Sequence, residues 1–190
     1  FVYGYPLWFW QDKQLPAART RVRGWSVWPG LWWLERLFRE AENPITSPEV
    51  VMRTSLLRRL GGFDARLPHA ADMELWMRLA ANADVGFIRG VDQAYYRVHQ
   101  ANMRKAYSAL MDLRERRSVY EMVLDRDGER FPDALSLSDT VHRKLAQEAL
   151  WAAARVYDRG RIRQTELARR FLGAGANAEE QDTDRLLAFA

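Results

Sequence analysis

Between residues 61 and 99 the chain sets out three features in a fixed order. Gly61-Gly62 is followed by Phe63-Asp64, then comes a helix signal opening at Asp72, then a strand signal ending Tyr96-Arg97-Val98-His99. A turn, a helix and a strand in so short a span demand a mixed α/β layout, with a carboxylate at a helix mouth and an imidazole at a strand end. Met73, Trp76, Met77 and Ala80 make one apolar helical stripe, which Leu75 and Leu79 widen, and the helix is expected to end near Asn82. Gly61-Gly62 supplies the positive-φ exit from a short helix running from Thr54, as its cap, through Leu60.

The flanking segments are read in the same way. Residues 1 to 10 are apolar and aromatic and predict a buried strand, whereas residues 12 to 27 have no period and are assigned to loop. Pro29 opens a short helix carrying Leu31, Trp32, Leu34, Leu37 and Phe38, which Asn43-Pro44 stops. Val50 to Met52 favour a strand, and Val85 to Ile88 and Ala94 to Val98 read as two more on either side of Gly90. After Asn102 the texture turns helical: residues 103 to 125, a helix capped by Ser138 and running to Gly160, a third from Thr165 to Leu172, then a loose tail from Gly173 to Gln181. The chain opens inside a strand signal without Met and is read as a piece of something longer.

Composition narrows the functional classes. In 190 residues, 48% hydrophobic content suffices for a real core, and the absence of cysteine removes disulfide and thiolate chemistry. A net charge of +4 is spread over mixed acidic and basic residues, with no nucleic-acid recognition motif, so no nucleic acid is expected as partner. Phosphorylated ligands or an anionic membrane surface suit that balance equally. Six tryptophans lie before residue 34, interleaved with Arg19, Arg21 and Arg23, and fit an acceptor platform, a membrane interface or simple core filling.

The order of Gly61-Gly62-Phe63-Asp64, Asp72-Met73-Glu74-Leu75-Trp76-Met77-Arg78-Leu79-Ala80 and Tyr96-Arg97-Val98-His99 resembles the acceptor-side half of family 2 glycosyltransferases. Their usual wording is a GGFDE turn, an ED-x-ELW-x-RLA helix and a YR-x-H strand end. The resemblance covers residues 1 to about 104 and implies the C-terminal half of a GT-A-like mixed sheet domain (1–105), followed by an α-helical extension (106–190). It implies an inverting transfer of a sugar from a nucleotide-sugar to a hydroxyl on a glycan, lipid-linked or other acceptor. The setting implied is cytoplasmic cell-envelope polysaccharide synthesis, with peripheral membrane association.

By that resemblance Asp72 is the general base, and Gly62, Asp64, Glu74 and Arg97 contact donor or acceptor. His99 would meet Mg²⁺ or Mn²⁺, or the diphosphate itself; Arg104 is a further phosphate contact. Plainer uses stand beside these roles: Asp72 as a helix cap, Glu74 as a solvated or capping acid, Arg97 as the partner of an acid on a neighbouring strand, Gly61-Gly62 as a helix end followed by a buried Phe63, His99 as a structural strand-end residue, Trp76 as core, and His69 as an exposed loop histidine. Asp125-Arg126-Asp127 runs into Gly128 and reads as a turn rather than an Asp-x-Asp metal motif. Where the family has Glu before its Asp, this chain has Ala71. That departure supports a second reading, a non-catalytic interaction module on a decayed scaffold with a partner-binding helical tail.

Overall fold

The computed structural model describes residues 1–11, 13–102 and 107–158. In chain order these form β1 (Val2–Trp10), β2 (Thr20–Trp28), α1 (Gly30–Glu40), α2 (Thr54–Leu60), α3 (Ala71–Ala80), β3 (Val85–Val98), α4 (Ala109–Asp127), a single 3-10 turn (Gly128–Arg130) and α5 (Ala134–Asp158). The fold is mixed α/β, with helices packed on a small mixed sheet of order β1-β3-β2. β3 lies parallel to β1 and antiparallel to β2. The helical calls over Thr165 to Leu172 and the tail after Gly173 lie outside the described residues.

β2 corrects the loop expected over residues 12 to 27. Thr20 to Arg23 are exposed on both sides, so no two-residue alternation marks them; pairing with β3 makes the strand. The two strands expected around Gly90 are one strand, because Gly90 takes φ 85° and lets β3 crease without leaving the ladder. At residues 50 to 52 the expected strand shrinks to one antiparallel bridge between Val51 and Val2.

Helix boundaries also move. Thr54 is the first residue of α2 rather than its cap, which is Arg53, and the turn of Gly61 to φ 88° ends that helix as expected. α4 starts at Ala109, where the hydroxyl of Ser108 accepts from the Met111 N–H at 3.2 Å. α5 begins a turn before Ser138, just after Asp133, whose carbonyl accepts from the Leu137 N–H at 3.0 Å.

One apolar cluster runs through the molecule. α1 buries Trp33, Leu34, Leu37 and Phe38 against α3 and α5, while Val119, Tyr120 and Val123 of α4 pack beside Leu137, Val141 and Leu145 of α5. The cluster therefore draws residues from both sides of position 105. Among the described residues no helix is long and apolar enough to cross a membrane.

Candidate functional site

A cleft of about 980 Å³ opens where the mouth of α3 meets the ends of β1 and β3. Asp72 lines it with Ser47 and Phe63, Trp8 and Arg97 line it from the strands, and Asp112 of α4 and Glu148 of α5 line it from the helices that follow residue 105. The 61–64 turn, through Phe63, the start of α3 and the end of β3 thus each contribute to one concavity.

Asp72 lies in the first turn of α3 and is half-buried. The N–H of Met73 donates to its Oδ1 at 2.6 Å, and the hydroxyl of Ser47 donates to its Oδ2. Each carboxylate oxygen keeps a further lone pair, so the group is held in direction and can still receive a proton. Ser47 itself sits at φ 96° in a turn whose next acid, Glu49, is buried and accepts from the Thr46 N–H at 2.7 Å.

Beyond the start of α3, the 60–64 turn is held by charge. Arg78 donates to the carbonyls of Leu60, Gly61 and Gly62, the last at 2.6 Å. Glu74 fixes Arg78 in turn: it is buried, and it pairs with Arg78 at 2.7 Å and with Arg126 at 2.8 Å. Glu74 is not among the cleft's lining residues, and its carboxylate faces these two guanidinium groups. A Cβ at Gly62 would meet nothing within 4 Å, but neither Gly62 nor Asp64 lines the cleft. Asp64 accepts from Arg66, whose guanidinium holds its carboxyl down at about 2. Phe63, expected to be buried if the glycines merely ended a helix, is 65% exposed, whereas Trp76 is buried beneath it.

At the strand end, Arg97 lines the cleft and His99 does not. The His99 N–H donates to the Asn102 side chain, whose amide returns to the Arg97 carbonyl at 3.1 Å, closing the turn that follows β3. Arg104 lies outside the described residues. Among the described residues no three His, Asp or Glu side chains converge as a metal site, and no step below runs through a cation. Asp125 and Asp127 belong to the last turn of α4, where Asp127 pairs with Arg126 and Arg130.

Several residues that shape the site carry no sequence signal of their own. Ser47 reaches Asp72 across 25 positions, and Glu115 of α4 accepts from the N–H groups of His69 and Ala70 at 2.8 Å, which braces the entry to α3. His69 is not an exposed loop histidine: its Nε2 lies 2.8 Å from Asp112 and its ring stacks on Tyr107 at 4.2 Å. Arg116 joins α4 to α5 through Glu148 and to α1 through the Ala41 carbonyl. The early tryptophans divide: Trp33 is in the core, Trp8 lines the cleft, and Trp10, Trp25 and Trp32 are half-exposed or more. No family model, no curated protein and no solved structure matches the chain.

Proposed function

We propose that this chain is the acceptor-side part of an inverting family 2 glycosyltransferase of GT-A-like fold, acting on a nucleotide-sugar in the cytoplasm. One observation carries the reading: the turn, the helix mouth and the strand end that resemble the family's motifs line a single cleft, with the Asp72 carboxylate inside it. In the proposed step an acceptor hydroxyl oxygen attacks the anomeric carbon from the face opposite the nucleotide. The bond from that carbon to the diphosphate oxygen breaks, its electron pair leaves with the nucleotide, and the acceptor's proton passes to Asp72.

The other residues support that step by position. Ser47 and the Met73 N–H keep Asp72 aimed, and Glu74 through Arg78 holds the 60–62 backbone. Arg97, on the cleft wall, is placed to meet donor or acceptor oxygen atoms. In the full-length protein, Asp72→Asn is expected to lower transfer roughly 10²- to 10⁴-fold with the thermal midpoint unchanged within a few degrees. Release of free nucleotide from nucleotide-sugar and acceptor is the measurement, and wild-type turnover in the mutant removes Asp72 from the mechanism.

The competing reading, a non-catalytic interaction module, draws on Ala71 in place of the family's Glu and on the exposed Leu150 and Trp151 of α5. A wild-type protein that consumes no nucleotide-sugar, yet retains a partner through α5, favours it.

A further inference from the structure

The cleft around Asp72 has two unlike walls. One is aromatic. Trp8 lines it at 41% exposure, braced by Tyr96, whose ring centroid lies 4.3 Å away at a 37° tilt. Phe63 adds a second exposed ring. A supported ring with a free face offers apolar area to the flat C–H face of a pyranose and keeps its own shape on binding.

The other wall is anionic. Among the described lining residues Glu42, Asp72, Asp112 and Glu148 face only two guanidinium groups, Arg97 and Arg116. Arg116 is already committed to Asp112 at 3.2 Å, to Glu148 at 2.8 Å and to the Ala41 carbonyl at 2.8 Å. His69 is committed to Asp112. Even with Arg116 offsetting part of Asp112 and Glu148, the four carboxylates outnumber the two guanidinium groups, so a ligand bringing phosphate, sulfate or carboxylate would meet a net negative wall. Hydroxyl groups suit it, since each can donate to a carboxylate oxygen.

We propose that the cleft receives an uncharged pyranoside, its ring face on Trp8 and its hydroxyls toward the acidic wall that α4 and α5 supply. Its role as the acceptor rests on the transferase reading; its binding does not. The helices after residue 105 then select the acceptor's class by excluding anionic sugars.

The test is a printed array of uncharged gluco-, galacto-, manno- and N-acetylhexosamine oligosaccharides beside their phosphorylated, sulfated and uronic-acid counterparts, probed with the full chain. Binding is expected on uncharged glycans alone. Trp8→Ala should weaken it about tenfold, Trp8→Tyr should largely restore it, and Trp25→Ala, outside the cleft, should leave it unchanged. Because Trp8→Ala also alters a strand, Glu42→Lys at an exposed position gives a second arm: it should recruit the anionic counterparts. Preference of the wild type for anionic glycans, absence of any glycan binding, or an unaltered profile in both Trp8→Ala and Glu42→Lys overturns the proposal. Glycan binding by a full-length protein that consumes no nucleotide-sugar overturns the transferase reading alone, and donor hydrolysis by the full-length protein without glycan binding overturns the pyranoside site alone.

Discussion

Glu49 is 1% exposed, and although Thr46 donates to its Oε1, its Oε2 has no hydrogen-bond partner among the described residues. Burial pushes its carboxyl above the ordinary 4.5, backbone N–H groups oppose the shift, and the nearby Asp72 charge adds to it. Because the folded-state value is raised, the folded protein holds this proton more tightly than the unfolded chain. The contribution is fully present below pH 4.5 and is lost as pH rises through the folded value. Glu49→Gln, which mimics the protonated acid, should raise stability at neutral pH relative to wild type, with the difference vanishing near pH 4. Urea unfolding across that range is the measurement, and parallel pH profiles would remove Glu49 from the account. Asp64 is shifted the other way by Arg66, whose own side chain is exposed, so solvent screens the pair.

At the scale of elements, Arg78 joins α3 to the end of α2. Its guanidinium is 14% exposed and links the buried Glu74 to three carbonyls of the 60–62 turn. Arg78→Met leaves those carbonyls without their donor and Glu74 with Arg126 alone. The expected loss is about 3 kcal/mol, read as a lowered urea midpoint with unchanged slope. A loss of a few tenths would mean that Arg126 suffices. The sequence made α3 legible through Met73, Trp76, Met77 and Ala80, because helical spacing records burial directly. It left Arg78 silent, since its partners are backbone carbonyls 16 to 18 positions away and any residue type supplies a carbonyl. β2 was hidden for a related reason: its first four residues are exposed on both faces, so only its second half alternates. Of the site, Asp72 and Arg97 could be found from wording, whereas Ser47, Glu115 and Arg116 act through contacts across the fold.

For the molecule as a whole, the helices beyond residue 105 are part of the interior. Phe38 packs on Tyr120 at 5.0 Å and on Phe131 at 5.8 Å, and the Tyr120 hydroxyl donates to the Leu37 carbonyl at 3.1 Å. A chain ending at residue 105 would uncover Phe38 and the Leu37 end of α1, both at 1% or less in the intact protein. It should therefore lose its cooperative thermal transition and near-ultraviolet circular dichroism, while the intact chain melts in one step. Independent melting of the two parts would show that each has its own interior.

Gly90 lies upstream of the cleft-lining end of β3 and does not line the cleft itself. It takes φ 85° at a break in register, with the Arg21 carbonyl 2.6 Å from where a Cβ would stand, and the strand beyond it carries Tyr96 and Arg97 to the cleft. A methyl group added there would collide with that carbonyl and strain the backbone. The delivery of two cleft residues thus depends on a position with no side chain of its own.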